Sequence, residues 1–320
     1  MKDVDNKHLK TFLAGGIAGM ASKTTVAPLD RVKILLQAHN THYKHNGVFS
    51  GLRDIVRREK FSGLYRGNGA QMVRVFPYAA VQFFTFEIYK KHLLTTFGNN
   101  HFLKLFAGSG AGITAVIMTY PLDLVRARLS FSVEFASANG ATAASGYFSS
   151  PPGLRIWSCI RNIVQNEGGF AALYRGMTPA LLGIVPYSGL YFYTFEEFKR
   201  FVLEHFPHWC GTYVDDKLLL NIPSKLLCGG LSGAVSQSLS YPLDVARRRM
   251  QLSMMQPETY KYSKGVLSTL IITYKEHGIV SGLYRGMSIN YLRAIPMVAA
   301  SFTTYEIIKQ YLGLDTSINA

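Results

Sequence analysis

The sequence predicts an all-α membrane protein: six transmembrane helices in three pseudo-symmetric repeats, each repeat carrying a short amphipathic helix between its two spans. Three observations lead there. Pro28-Leu29-Asp30-Arg31-Val32-Lys33 returns as Pro121-Leu122-Asp123-Leu124-Val125-Arg126 and as Pro242-Leu243-Asp244-Val245-Ala246-Arg247. Each copy is followed by Tyr-Arg-Gly, at Tyr65, Tyr174 and Tyr284, and 21 residues beyond each tyrosine by aromatic-Glu-x-x-Lys, at Phe86, Phe195 and Tyr305. Six apolar runs complete the pattern, and at about 18 to 20 residues each they reach roughly 27 to 30 Å, the thickness of a hydrocarbon core. The repeats occupy 9–97, 102–206 and 221–313 of one transmembrane domain, 1–320.

The first span, 11–29, is apolar except for Lys23, and Gly15, Gly16 and Gly19 leave room for close helix contact. The others are 67–86 with only Arg74, 105–122, 176–195 and 226–243 without charge, and 286–305 with only Arg293. Six helices buried in a soluble bundle are the alternative, but uncapped runs of this length lie outside soluble norms. Between the spans, Val48, Leu52, Ile55 and Val56 face away from Arg53, Arg57 and Arg58, which reads as a helix lying on the membrane surface. Its counterparts are about 153–166, with Leu154, Trp157, Ile160 and Val164, and 265–276, with Val266, Leu270 and Tyr274. An Ala/Ser/Gly-rich stretch, Ser130 to Ser150, is expected to be a flexible insertion.

Composition agrees with a membrane class. Aromatic residues make up 13% of the chain, glycines number 29, and the mean hydropathy is +0.11. A net charge of +15 would also suit a nucleic-acid binder. Here, however, Lys and Arg punctuate apolar runs instead of gathering on one face, so no nucleic-acid partner is expected. Cys159, Cys210 and Cys228 have neither disulfide nor metal-ligand spacing. The opening residues lack a signal-peptide pattern, so targeting information is expected to be internal.

Of the 34 Lys and Arg, 20 lie in 31–66, 126–175 and 247–285. By the positive-inside rule those segments face the inner compartment and both termini face outside. Lys23, Arg74 and Arg293 remain within the membrane, where no acid is expected to pair them. An unpaired cation in hydrocarbon costs at least ~2.5 kcal/mol, so such residues mark a path for an anionic substrate unless they merely bond backbone carbonyls. Arg74, Gly183 and Arg293 each stand 13 residues before Glu87, Glu196 and Glu306, which sets them at one depth.

The two sets of charged triplets read as gates, because three helices carrying acid and base can close a ring at one end or the other. Bridges of this kind are individually weak and costly to desolvate, which suits a gate; plain interface charges are the competing reading. Gly108-Ser109-Gly110-Ala111-Gly112 resembles a dinucleotide loop, but no strand precedes it and Ile113 stands where a glycine is required. His39, His42 and His45 lie in a polar loop, and no metal site is expected there. No nucleophile and base are arranged for catalysis, so the chain is read as a non-enzyme without a cofactor.

The triplicated Pro-x-Asp-x-x-Lys/Arg with Tyr-Arg-Gly and aromatic-Glu-x-x-Lys resembles the mitochondrial carrier family, over nearly the whole chain. The resemblance implies a three-fold pseudosymmetric six-helix barrel in the mitochondrial inner membrane, acting as a monomer, with both termini in the intermembrane space and cardiolipin near the Tyr-Arg-Gly turns. It implies a matrix gate of Asp30, Lys33, Asp123, Arg126, Asp244 and Arg247, with Asp30 pairing to Arg126, Asp123 to Arg247 and Asp244 to Lys33. Gln37 and Gln251 would brace that ring, while Ser130 leaves the middle repeat unbraced. A cytoplasmic gate of Glu87, Lys90, Glu196, Lys199, Glu306 and Lys309 follows, braced by Tyr305 alone because Phe86 and Phe195 carry no hydroxyl.

Lys23, Arg74, Gly183, Ile184, Tyr187 and Arg293 look like the contact points of carriers for adenine-containing substrates, the arginines taking phosphates and the small apolar pair the base. Val26 to His39 and Ser240 to Leu252 look most like the branch of coenzyme A and Graves-disease-associated carriers. An adenine nucleotide exchanger is the alternative substrate reading, although Gln251 interrupts the methionine run such exchangers carry after their three arginines. A calcium-regulated extension would need more than the ten residues before the first span. A non-transporting receptor or scaffold would leave the intramembrane cations without a purpose.

Overall fold

The computed structural model describes residues 2–38, 47–97, 101–132, 135–136, 142–143, 154–214, 217–255 and 257–313. Six long helices dominate: α1 (Lys2–Gln37), α3 (Asn68–Phe97), α4 (His101–Phe131), α6 (Met177–His205), α8 (Ile222–Gln251) and α10 (Met287–Tyr311). Three short helices, α2 (Val48–Glu59), α5 (Arg155–Asn166) and α9 (Val266–His277), lie between the members of each pair, and α7 is the single turn Pro207–Cys210. Two antiparallel hairpins are the strands among the described residues: β1 (Phe135–Ala136) with β2 (Thr142–Ala143), and β3 (Gly211–Val214) with β4 (Lys217–Leu220).

By hydropathy alone, no helix among the described residues is long and apolar enough to cross a membrane. The reason is visible in 226–243, where Gly, Ser, Tyr and Pro replace much of the aliphatic content without adding charge. Each long helix also contains one proline beyond its first turn, and the six fall in two registers. Pro28, Pro121 and Pro242 precede the aspartates of α1, α4 and α8; Pro77, Pro186 and Pro296 follow Arg74, Gly183 and Arg293 by three residues. A proline removes an intrahelical hydrogen bond and bends the helix, so equivalent bends recur around the barrel.

Helices pack chiefly between repeats: α1 along α10, α3 along α4, α6 along α8. At one end α1, α4 and α8 also touch one another, which closes that end. The glycine of each Tyr-Arg-Gly makes the turn into the following helix with φ near +80°, at Gly67, Gly176 and Gly286. No other residue fits cheaply there, since a Cβ on Gly67 would stand 2.9 Å from Arg126 O and one on Gly176 would stand 3.1 Å from Arg247 O. The turns therefore rest directly on the charged ends of the neighbouring repeat.

The short helices are tied to that same end by arginines. Arg31 reaches Glu59 at 2.8 Å with both side chains fully buried. Arg128 pairs with Glu167, and Arg249 donates to Tyr262 Oη at 2.7 Å, which in turn donates to Glu276 at 3.1 Å. Burial would raise the Glu276 carboxyl, but the Lys261 ammonium bonded to it holds it below the usual range.

In two of the three short helices the residues that pack on the bundle are not the largest apolar ones. Cys159 and Ile163 are the buried residues of α5, whereas Trp157 is 67% exposed; Thr269 and Thr273 are buried in α9, whereas Tyr274 is 55% exposed. Small side chains allow close approach to the bundle, and the aromatic edge is left outward, where lipid is as good a solvent as a core. The segment read as a flexible insertion begins later than Ser130. α4 runs to Phe131, and Ser130, Phe131 and Ser132 are buried. Apart from the β1–β2 pair, 133–153 lies outside the described residues, as do His39, His42 and His45.

Candidate functional site

The kinked ends of α1, α4 and α8 bring their aspartates together. Arg126 Nη2 donates to Asp30 Oδ2 at 2.6 Å, and Arg247 Nη2 donates to Asp123 Oδ2 at 2.6 Å, so two of the three expected cross-helix bridges are closed. The third is not formed. Asp244 Oδ2 accepts the Gln237 amide at 2.9 Å, while Lys33 Nζ sits 5.5 Å from the centroid of the Tyr241 ring.

Beneath the ring bridges lie hydrogen bonds from the two glutamines. Gln37 Nε2 donates to Tyr241 Oη at 2.9 Å, and Gln251 Nε2 donates to Tyr120 Oη at 3.0 Å and to Asp123 at 2.9 Å. Both tyrosines pass the bond on to a backbone carbonyl, Tyr120 to Arg175 and Tyr241 to Arg285, the middle residues of two Tyr-Arg-Gly turns. Ser130 instead donates to Arg66 O at 3.0 Å.

At the other end of the barrel the charged triplets do not meet. Glu87 to Lys90, Glu196 to Lys199 and Glu306 to Lys309 are pairs within one helix, at 3.6, 3.2 and 3.9 Å, with the carboxylates 70, 65 and 49% exposed. Lys309 stands over the Tyr305 ring and Lys90 over the Phe86 ring. The molecule is thus shut at the Pro-Leu-Asp end and open at the Glu-x-x-Lys end.

Between the ends lies a cavity of about 560 Å³. Its wall carries seven basic side chains (Lys23, Lys33, Arg74, Arg126, Arg247, Arg248 and Arg293) against three carboxylates (Asp30, Asp123 and Asp244). Among the described residues, the hydrogen-bonding partner of Lys23 Nζ is Met297 Sδ at 3.4 Å. The expectation that Arg74 and Arg293 have no acid to pair with is corrected here. Arg74 Nη1 lies 3.0 Å from Asp123 Oδ1, and Arg293 Nη1 bonds Asp30 Oδ1. Asp30 and Asp123 thus each give one oxygen to the ring and the other to a cavity arginine, and Arg74 is held at that level by a second hydrogen bond, from its Nε to Thr119 Oγ1 at 3.3 Å.

Gly183, Ile184 and Tyr187 are not among the described residues that line this cavity. Gly183 is half-buried, with room for a Cβ 3.8 Å from Leu243 Cβ; Tyr187 stacks on Tyr191 with centroids 6.3 Å apart. Among the wall residues that escaped the sequence reading, three stand next to the charged groups. Arg248 lies 3.8 Å from Asp123 and bonds Gln251 at 2.8 Å. Tyr78 lies under the Arg74 guanidinium at 5.3 Å, and the buried Gln71, one turn before Arg74, leaves its Oε1 without a hydrogen-bond partner. The run Arg247-Arg248-Arg249 was a visible signal for the first; an i, i+4 partner and an i, i−3 amide were available for the other two.

A site of this kind can accept a multiply charged anion from the open end and exchange its aspartate contacts for phosphate contacts. Comparison with known proteins agrees with that chemistry. The chain matches the family described as mitochondrial carrier protein three times, over residues 4–97, 98–206 and 219–316. It is 50% identical over 311 residues to human solute carrier family 25 member 16, covering 96% of this chain and 89% of that one. It is 39% identical over 320 residues to mitochondrial carrier protein CoAc1 of Arabidopsis thaliana, with 95% and 90% covered. Mitochondrial carrier protein CoAc2 of Zea mays is 40% identical over 308 residues, with 94% and 86% covered.

Proposed function

The chain belongs to the mitochondrial carrier family, and from that premise we propose that it moves coenzyme A, or a close relative such as dephospho-coenzyme A or adenosine 3′,5′-diphosphate, across the mitochondrial inner membrane by alternating access. The observation that carries the substrate class is the surplus of cations around the cavity, seven against three. Coenzyme A presents a 3′-phosphate and a 5′-diphosphate, roughly four negative charges at neutral pH. The names of the Arabidopsis and maize relatives, mitochondrial carrier proteins CoAc1 and CoAc2, support the same substrate.

In this reading phosphates draw Arg74 and Arg293 away from Asp123 and Asp30, which removes one arm of each ring aspartate. Binding and unlocking are thereby coupled, since a substrate that favours the state with the ring loosened must offset the contacts it displaces. Lys23 adds a further cation, and the uncharged sector at Gly183, Ile184 and Tyr187 receives the adenine. The same reading puts both termini in the intermembrane space, cardiolipin at the Tyr-Arg-Gly turns, and one chain in each transport unit.

The test is uptake into proteoliposomes across coenzyme A, dephospho-coenzyme A, ADP, ATP and thiamine pyrophosphate. Saturable uptake of coenzyme A or its close relatives, with ADP and ATP poorer, is the expected result. Rapid uptake of ADP and ATP with none of coenzyme A would overturn the assignment in favour of an adenine nucleotide exchanger.

A further inference from the structure

The three ring aspartates are not held alike. Asp30 and Asp123 each receive one arginine across the ring and one from α10 or α3. Asp244 has neither arm. The position equivalent to the cavity arginines is Gly183, which has no side chain. Its ring partner, Lys33, is not within ion-pair distance among the described residues, and Asp244 Oδ2 is taken at 2.9 Å by Gln237, seven residues earlier on the same helix.

Gln237 therefore satisfies the carboxylate without joining α8 to α1. The position is itself informative: seven residues before the ring aspartates of the other repeats stand Lys23 and Val116, both on the cavity wall. Gln237 itself does not line the cavity among the described residues; its amide is turned to the ring. Lys33, released from Asp244, keeps its ammonium over the Tyr241 ring at 5.5 Å and lines the cavity. A cation resting on an aromatic face gives up little when a phosphate approaches, whereas one bound to a carboxylate must first break that pair.

We propose that Gln237 holds Asp244 off Lys33 while the carrier is open outward, so that Lys33 serves as a phosphate contact and the inner ring is closed by two cross-helix bridges. This rests on the reading of the cavity as a site for a phosphorylated anion, and adds to it a third cation and the residue that keeps it available. Gln237 is a positioning residue: it acts through Asp244 on Lys33.

Two measurements test it, one with substrate and one without. For coenzyme A, or whichever adenine phosphate of the panel the native protein carries best, Gln237→Ala is expected to raise KM about tenfold, as Lys33→Gln does, because the freed Asp244 captures Lys33. Adding Asp244→Asn to Gln237→Ala removes the captor and is expected to bring KM back toward the native value, which a merely structural Gln237 would not do. In the substrate-free carrier, Lys33→Gln should shift the melting temperature by less than about 1 °C in the native background but by several degrees in Gln237→Ala, where the bridge now exists. A Lys33→Gln variant that melts as early as Arg126→Gln in the native background would mean Lys33 is already a ring partner, and overturns the latch. Failure of the native protein to take up any phosphorylated anion overturns the reading of the cavity and the role of Lys33 with it, whatever the melting cycle gives.

Discussion

Asp123 is where the closed end of the carrier can be tested most severely. Its side chain is 2% exposed and its carboxylate collects Arg247 at 2.6 Å, Gln251 at 2.9 Å and Arg74 at 3.0 Å, with Arg248 at 3.8 Å. Asp123→Asn keeps the shape and removes the charge that three arginines face. Removing one partner of a buried pair costs about 3 to 5 kcal/mol, and charge-assisted hydrogen bonds about 1.5 to 3 kcal/mol each. The donors share one carboxylate, so their losses do not add; a weakening of about 3 to 5 kcal/mol is expected, or roughly two to four orders of magnitude in the ratio of outward-open to inward-open carrier.

Thermal unfolding of the purified carrier reads this, since the ring is what holds the closed end. Asp123→Asn is expected to melt well below the native protein. The charge swap Asp123→Arg with Arg247→Asp restores one bridge but sets the introduced guanidinium against Arg74 and Arg248, so its recovery should be partial. Adding Arg74→Gln should improve the melting temperature further, even though it removes a proposed substrate contact. Complete recovery by the two-residue swap would refute the shared hub, and an Asp123→Asn variant that melts like the native protein would refute the ring.

Four other outcomes follow from the same geometry. Arg74→Ala and Arg293→Ala should each raise KM for coenzyme A about tenfold or more, and each should also lower the melting temperature because a ring aspartate loses an arm; unchanged uptake by both would remove them from the site. Ile184→Ala should weaken binding of adenine-containing anions more than that of inorganic pyrophosphate, measured by competition, and equal losses would exclude a base contact. Glu196→Gln should leave the melting temperature of the outward-open carrier nearly unchanged, the exposed pair within one helix being worth under about 1 kcal/mol, while slowing transport through the inward-open state. Cys159 is wholly buried and its thiol is pushed up to about 12 by that burial, so a maleimide at neutral pH should modify Cys210 and leave Cys159 unmodified until the carrier is unfolded.

The repeats, the six long helices and the positions of α2, α5 and α9 were legible because they follow from periodic patterns and from glycine and proline at fixed offsets. The bridges from Asp30 to Arg126 and from Asp123 to Arg247 were legible through the resemblance, and the structure forms both. What the pattern could not carry is reach. Arg74 and Arg293 lie on α3 and α10, under about two turns from the starts of those helices, and only the packing of α3 on α4 and of α10 on α1 sets them beside Asp123 and Asp30. The unformed third bridge was hidden for a similar reason, because an intrahelical donor seven residues away from Asp244 is not an i, i+3 or i, i+4 neighbour. Which residues of α5 and α9 pack on the bundle was not legible, because periodicity identifies an apolar stripe without saying whether protein or lipid covers it.

The three seams that close the inner end are unequal, and their order follows from what crosses each. Between α4 and α8 run the Asp123 to Arg247 bridge and the Gln251 to Tyr120 hydrogen bond. Between α1 and α4 run the Asp30 to Arg126 bridge and the buried Arg31, whose Nε donates to Ser130 O at 3.2 Å. Between α8 and α1 run the neutral Gln37 to Tyr241 hydrogen bond at 2.9 Å and the Lys33 ammonium over the Tyr241 ring at 5.5 Å, with no ring bridge among the described residues. A neutral hydrogen bond contributes about 1 kcal/mol net, against about 1.5 to 3 kcal/mol for one carrying charge. The α8 to α1 seam is accordingly the one that yields at least cost, and it is the seam beside Lys33. On the proposed reading, an anion that engages Lys33 acts at the weakest edge of the ring, while contacts with Arg74 and Arg293 would loosen the two stronger ones.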